Sequence, residues 1–209
     1  MTEAPPWTPV GDVDALAALY GEVNAISRAK EVPALTPAYR TMVEASRFCV
    51  LATAGPEGLD CSPRGDRDPV VRVHDDRTLL LPDRRGNNRI DSLRNIVRDP
   101  RVALLFLIPG LTETLRVNGT ALVTADPELC ATFPVDGQLP RSVIVVRIQS
   151  VYWQCARALV RSGLWNPDAW QELSDMPTPG RMLSEASGGK EDGAAYDATL
   201  RERQARTLY

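Results

Sequence analysis

The sequence predicts a mainly β protein with flanking helices, built around a small, six-stranded, mostly antiparallel barrel. Segments with strand character follow one another with few helical crossovers, and turn signals such as Gly55–Gly58 separate neighbouring segments. A doubly wound parallel sheet would need a helix between successive strands, and the pattern does not supply one. The length of 209 residues suits one domain with a sizeable core, or a domain with additions at its ends.

Two helices are predicted before the first strand. Apolar residues recur at helical spacing through residues 12–30, and Asp12 is a suitable N-cap for this amphipathic helix. Thr36 and Pro37 form an N-cap and a first-turn proline, which predicts a second helix that ends near Ser46. Residues 1–46 are therefore assigned to an N-terminal helical extension.

Strands dominate the middle of the chain. Pro69–Val73 and Thr78–Leu81 form a predicted hairpin, and Val102–Ile108 is apolar enough to be buried on both faces. Glu113–Thr124 alternates between polar and apolar residues, with an interruption at Asn118-Gly119. The other predicted strands are Phe48–Thr53, Leu59–Arg64 and Val143–Val151, and the predicted short helices are Arg89–Val97, Pro127–Thr132 and Gln154–Arg161.

The C-terminal part of the chain has a different character. Proline and glycine break it repeatedly after residue 166, and only Met182–Ala186 predicts a helix. We assign residues 47–165 to a barrel domain and residues 166–209 to an arm that packs on the barrel or on a partner subunit.

Composition excludes several classes of chemistry. The four cysteines are widely spaced and the single histidine, His74, lies in the turn of a predicted hairpin, so no metal site is expected. A hydrolase triad is equally hard to assemble from one histidine in that position. Such a chain is expected to borrow a cofactor for any chemistry, or only to bind a ligand.

Net charge and the lengths of the apolar stretches argue against two classes of binding partner, nucleic acids and membranes. The net charge of −3 argues against a nucleic-acid-binding protein. The longest apolar stretch, Val102–Ile108, is too short to cross a bilayer, and residues 1–7 show no secretory signal. We expect a cytoplasmic protein without nucleic-acid or membrane partners.

The Arg- and Asn-rich stretch Pro82–Arg89 is the strongest candidate binding site. Arg84, Arg85 and Arg89 lie with Gly86-Asn87-Asn88 between the end of a predicted strand and the start of a predicted helix. Guanidinium groups and the backbone amides of a helix start suit a phosphate dianion. A capped, solvent-exposed helix start is the alternative interpretation.

A second candidate is Cys61–Asp66. Pro63 interrupts a predicted strand, so this segment is expected at a sheet edge or a bulge, and Gly65 permits close approach of a ligand to the backbone. An irregular strand end without a ligand is the alternative.

In combination, several motifs resemble the pyridoxamine 5'-phosphate oxidase-like family. The motifs occur in the family's order, and the resemblance spans about residues 36–209. They are Ser62–Asp66 (SPRGD), Leu79–Arg89 (LLLPDRRGNNR), Asp99–Gly110 (DPRVALLFLIPG), Glu113–Gly119 (ETLRVNG), Cys155–Trp165 (CARALVRSGLW) and the final Arg206–Tyr209 (RTLY).

The resemblance implies a six-stranded antiparallel split β-barrel that forms a homodimer and binds FMN at the subunit interface. It places one set of residues along the isoalloxazine edge, a second at the ribityl phosphate, a third on the strand where the oxidases carry a glutamine, and a fourth on the partner side. In that order the sets are Ser62, Pro63, Arg64, Gly65 and Asp66; Leu81, Pro82, Arg85, Asn87, Asn88 and Arg89; Thr114, Arg116 and Asn118; and Arg157, Arg161 and Trp165.

Two departures bear on the reaction. Asn87-Asn88 stand where the true oxidases have an Arg-Lys pair, and the late Arg-x-His-type segment of those enzymes is missing. The resemblance therefore implies an FMN-dependent oxidoreductase that acts on a small molecule other than pyridoxamine phosphate, with an electron donor such as NAD(P)H. A non-catalytic flavin-binding or sensor protein, and a barrel that holds F420 or haem, are the alternatives.

Overall fold

The computed structural model describes residues 7–209. One antiparallel sheet of seven strands forms the centre of the fold. The strand order is β2-β1-β5-β6-β7-β4-β3. The strands are β1 (Phe48–Gly55), β2 (Gly58–Gly65), β3 (Arg72–Asp75), β4 (Thr78–Pro82), β5 (Arg101–Leu107), β6 (Thr114–Thr124) and β7 (Val143–Gln154).

The sheet has seven strands and not the six of the predicted barrel, because each of the seven predicted strand segments, including both arms of the β3–β4 hairpin, joins it. His74 lies within β3 rather than in the turn, which is formed by Asp76 and Arg77. The edge strands β2 and β3 do not pair with each other in the described part of the chain, so the sheet is not a closed hydrogen-bonded barrel.

The helices flank this sheet. They are α1 (Val13–Tyr20), α2 (Ala25–Ala29), α3 (Pro37–Ala45), α4 (Asp91–Arg98), α5 (Pro127–Ala131), α6 (Arg157–Ser162), α7 (Pro179–Ala186) and α8 (Gly193–Arg206), with short 3₁₀ helices at Pro167–Ala169 and Leu173–Asp175. Among residues 7–209 no helix is long and apolar enough to span a bilayer.

The N-terminal helix is the clearest correction to the secondary-structure prediction. Residues 12–30 form two short helices, because Gly21 ends the first at φ 70 and Asn24 caps the second. Neither helix buries a residue, so the apolar stripe predicted over this segment faces solvent in the single chain.

The C-terminal arm also holds more helix than predicted. Besides α7, it contains the 14-residue α8, which Asp192 caps through a hydrogen bond from the Ala195 amide. The two helices pack on each other where Gly180 meets Gly193, a contact too close for a β-carbon on either residue.

The core lies on one face of the sheet. Leu51, Leu104 and Phe106 are each buried to 1% exposure or less, and α3 adds Val43. On β5 the burial alternates, with Ala103, Leu105 and Leu107 only half-buried, so the prediction of burial on both faces is wrong for the single chain. At Gly119 a bulge shifts the β6–β7 register, and the backbone of Arg147 approaches too closely for a side chain there.

Candidate functional site

The main cavity lies between the β2 end of the sheet and the loop that joins β4 to α4, and its volume is about 640 Å³. This volume is within the range of about 300–1,000 Å³ typical of sites for cofactors and small molecules. From the residues predicted at the phosphate and the isoalloxazine edge, the cavity brings together Ser62, Arg64, Arg85, Asn87, Asn88 and Arg89.

A smaller cavity of about 190 Å³ adjoins the same loop. Arg64, Arg84, Arg85 and Gly86 line both cavities. The remaining members of the first two predicted sets line the smaller one, namely Pro63, Gly65, Asp66, Leu81 and Pro82.

Edge strand β2 supplies one wall of the main cavity, as the proline in Cys61–Asp66 predicts. Ser62 and Arg64 lie opposite Leu51 and Cys49 of β1, on the core side of the sheet. Burial raises the pKa of the Cys49 thiol to about 12.

Two ion pairs join this wall to the loop after β4. Arg64 donates to Asp83 at 2.7 Å, and Arg84 donates through Nε to Asp66 at 2.7 Å. Both pairs are shielded from solvent, with the Asp66 side chain only 5% exposed. Because β2 and β4 are not neighbours in the sheet, these side chains connect two parts of the chain that backbone pairing does not join.

A hydrogen-bonded cluster completes the floor of the main cavity. The hydroxyl of Ser92, at the start of α4, donates to Asp60 at 2.5 Å, lies 2.8 Å from the hydroxyl of Ser62 and accepts from Arg64 at 3.0 Å. The Nε of Arg64 is buried without a hydrogen-bond partner among the described residues. Leaving a buried guanidinium N–H without an acceptor costs free energy, so this atom is a candidate donor to a bound acceptor.

The approach to α4 has an unusual backbone. Asn88 and Ile90 have φ values of 60 and 53, a left-handed conformation that is rare for a β-branched residue such as isoleucine. The helix starts at Asp91, two residues later than predicted, with no side chain capping it. Its first amides therefore lack the partner that Asp or Thr supplies at α1, α3, α5, α7 and α8.

The electrostatics of the main cavity favour an anion. Five arginines and three aspartates line it, whereas the whole chain has a net charge of −3. Arg85 and Arg141 make no ion pair or side-chain hydrogen bond in the described part of the chain, and Arg89 pairs with Asp91 at the exposed surface.

Sequence reasoning missed several residues that line this cavity. Ser92 has a local signal, since a serine in the first turn of a helix that follows an arginine-rich loop is suited to bind an anion. Arg141 has none, because only the tertiary fold brings it beside Pro82–Arg89. Tyr209 belongs to the family motif Arg206–Tyr209, but no local pattern places it at this cavity. Asp83, Arg84 and Gly86 lie within the predicted stretch Pro82–Arg89. The lining residues outside the predicted binding segments are Asp60, Ile90, Asp91, Ser92, Leu93, Gln138, Leu139, Pro140, Arg141 and Tyr209.

The single chain does not bring the other predicted residues to this cavity. Thr114, Arg116 and Asn118 alternate with the core residues Leu115 and Val117, so they lie on the opposite face of the sheet from Ser62 and Arg64. Arg116 donates to the Tyr152 hydroxyl at 3.0 Å on that face.

The residues predicted on the partner side lie on α6 or just after it, and none of them lines the main cavity. Arg157 and Arg161 are exposed on α6 and make no ion pair within residues 7–209. Trp165 follows α6 and donates its indole N–H to the Leu111 carbonyl at 2.8 Å.

We expect the shielded Arg84–Asp66 ion pair to stabilise the fold more than the exposed Arg67–Asp136 pair. Changing Asp66→Asn should lower the free energy of unfolding by about 2 kcal/mol or more, because it leaves the shielded Arg84 without its counter-charge. The matched control is Asp136→Asn, which breaks the exposed pair with Arg67 and should cost less than about 1 kcal/mol. Asparagine tolerates the positive φ of Asp136, so the control adds no backbone strain. Urea denaturation of both variants checks the order; equal losses would contradict it.

Comparison with known proteins gives a family match over most of the barrel. A family profile described as pyridoxamine 5'-phosphate oxidase matches residues 35–155. No curated protein sequence matches the chain.

Several solved structures are similar to the barrel. HupZ of Group A Streptococcus is 17% identical with a TM-score of 0.47, over 57% of this chain and 93% of that one. A candidate pyridoxamine 5'-phosphate oxidase from Lactobacillus delbrueckii is 23% identical with a TM-score of 0.46, over 58% and 95%. An F420 reductase is 22% identical with a TM-score of 0.42, over 56% and 98%.

Proposed function

We propose, since the chain belongs to the pyridoxamine 5'-phosphate oxidase family, that it binds FMN and that Pro82–Arg89 is the cradle of the FMN phosphate. The observation that carries the proposal is the uncapped start of α4, which a strained, left-handed loop presents among arginines. Backbone strain of this kind persists where a ligand or the surrounding structure stabilises it.

The residues of the main cavity fit the chemistry of a phosphate monoester. Arg85 and Arg89 are exposed arginines beside the uncapped amides, and they are the groups that would bind the dianion directly, together with Asn87 and Asn88. Arg141 reaches the same cavity from the loop before β7 and adds a further positive charge. Arg64 contributes the buried Nε that has no partner in the described chain.

Edge strand β2 is suited to hold the ring. Its outer side has no neighbouring strand, so backbone groups of Ser62–Asp66 are available to the polar edge of an isoalloxazine. Leu81 and Pro82 would contact the ribityl phosphate from the end of β4. The family resemblance likewise implies that Ser62–Asp66 lie along the isoalloxazine edge and that Leu81 and Pro82 contact the ribityl phosphate.

We further propose a homodimer with one FMN in each of two interface grooves. Thr114, Arg116 and Asn118 lie across the sheet from the cradle, and that same face carries half-buried apolar residues such as Leu105. A second subunit packed on this face would cover it and would bring its own Thr114 set, or its Arg157, Arg161 and Trp165, to the groove.

The proposed activity is that of an FMN-dependent oxidoreductase acting on a small molecule. The flavin supplies the redox chemistry when bound, accepting or giving hydride equivalents. The residues of the chain bind and orient the cofactor: the arginines fix the phosphate, β2 holds the ring edge and the apolar face excludes water.

A non-catalytic flavin-binding protein is the second candidate, and one observation favours it. The carboxylates beside the cradle are engaged: Asp83 with Arg64, Asp66 with Arg84, Asp91 with Arg89. Asp60 accepts from Ser92 and Ser62. None of these four carboxylates is an unpaired general base in the described part of the chain.

The phosphate assignment is tested by FMN binding. Arg85→Ala and Arg89→Ala should each weaken the FMN Kd roughly 10- to 100-fold, the loss expected for a charge-assisted hydrogen bond of about 1.5–3 kcal/mol. Quenching of flavin fluorescence on titration measures the Kd, and riboflavin, which lacks the phosphate, should be unaffected by either variant. Arg94→Ala, which removes an exposed arginine of α4 outside the cavity, is the matched control. Unchanged FMN affinity in both cradle variants would refute the assignment.

The choice between the two candidate functions is tested by reduction. The FMN-loaded protein, mixed anaerobically with NADH or NADPH, should lose the absorbance of oxidised flavin if the protein is an oxidoreductase with that donor. A deazaflavin donor, reduced F420, is the third arm. Failure of all three, with FMN still tightly bound, would favour the binding-protein candidate. A protein that takes up F420 but not FMN would contradict the cofactor proposal itself.

A further inference from the structure

The chain after α8 returns to the cradle through one side chain, Tyr209. Its hydroxyl donates to Asp66 at 2.9 Å and accepts the Arg67 amide N–H at 3.2 Å. Tyr209 also lines the main cavity. Helices α7 and α8 pack on each other, and the hydrogen bonds of Tyr209 join the α8 end of the chain to the residues that follow β2.

Asp66 links Tyr209 to the arginines of the cradle. Its carboxylate accepts from three donors: the Tyr209 hydroxyl, the Arg67 amide at 2.8 Å and Nε of Arg84 at 2.7 Å. Arg84 is held from its other side by the Phe133 carbonyl, to which Nη1 donates at 2.7 Å. A carboxylate with three donors has little freedom to turn, and it fixes the guanidinium that it holds.

The tyrosine ring makes a second contact with the same group of residues. The guanidinium carbon atoms of Arg67 and Arg84 lie 4.8 Å and 5.8 Å from the ring centroid, within the range of cation–π attraction. Burial, followed by the hydrogen bond to Asp66, raises the pKa of Tyr209, so the hydroxyl stays protonated and remains a donor at neutral pH.

We propose that Tyr209 is a positioning residue of the cradle: by holding Asp66, and through it Arg84, it sets the affinity of the site for a phosphate monoester. This inference rests on the proposed phosphate cradle. An arginine that is already fixed loses less side-chain entropy when an anion binds than one that must first be ordered. Tyr209 therefore acts on the phosphate and not on the rest of the ligand.

Coupling between the two sites follows from the same contacts. If docking of Tyr209 strengthens phosphate binding, phosphate binding must strengthen docking of Tyr209 by the same factor. The α8 end of the chain should therefore exchange its amide hydrogens more slowly when the cradle is occupied.

The test is Tyr209→Phe, which keeps the ring and removes only the hydroxyl. The FMN Kd should rise about fivefold, the loss of one ordinary hydrogen bond, whereas the riboflavin Kd should stay unchanged. Leu208→Ala is the control, because Leu208 is 62% exposed and adjacent in sequence. Hydrogen exchange of residues 199–209, with and without FMN, should show protection by FMN in the wild type that Tyr209→Phe reduces.

The outcomes separate this inference from the proposed function. A wild type that binds FMN no better than riboflavin refutes the phosphate cradle, and the role of Tyr209 with it. A wild type that prefers FMN, with a Tyr209→Phe variant that keeps the whole preference, refutes only the role of Tyr209. Equal loss of FMN and riboflavin affinity would show a general structural role, and it would also overturn the positioning role.

Discussion

Two shielded arginine–aspartate pairs, Arg64–Asp83 and Arg84–Asp66, are the constraint on which the candidate site depends. They connect edge strand β2 to the loop after β4, two parts of the sheet that share no backbone pairing. Removing one partner from such a pair leaves a charge without compensation, so the geometry is costly to disrupt. The main cavity lies beside this connection and is lined by Arg64, Asp83 and Arg84.

The outer edge of β2 leaves backbone N–H and C=O groups without a partner strand in the described part of the chain. A closed ladder would use the outer side of β2 for backbone hydrogen bonds, whereas the open edge leaves those groups to a ligand. The uncapped start of α4 and the left-handed Ile90 add amides and strain at the same place. Charge, edge and helix start therefore converge at the proposed anion site, on a chain whose overall charge is negative.

Local patterns predicted most of the elements. The Thr36–Pro37 start of α3 and the β1–β2 hairpin follow from cap and turn residues in short contiguous segments. The interruption predicted at Asn118-Gly119 is a bulge in the structure. Helix α8 escaped prediction because residues 193–206 carry no apolar stripe, and it buries no residue. The single helix predicted over residues 12–30 is wrong for the opposite reason. The helical spacing of apolar residues continues across Gly21, but this glycine ends α1.

The candidate site was predictable only where it is local. Pro82–Arg89 is contiguous, and strand and helix signals on either side locate it. The partners that fix it are distant in sequence: Asp66 and Ser92 need the fold to meet their arginines, and Tyr209 reaches Asp66 from 143 residues away. Residues on the opposite face of the sheet, such as Arg116, would meet a cradle only through the proposed second subunit, which no single-chain pattern specifies.

The most direct test of the phosphate cradle is a crystal structure of the protein grown with FMN. We expect phosphate oxygens within hydrogen-bond distance of Arg85 or Arg89 and of the first backbone amides of α4. Phosphate density elsewhere, for example on Arg157 and Arg161 with the cradle filled only by water, would contradict it.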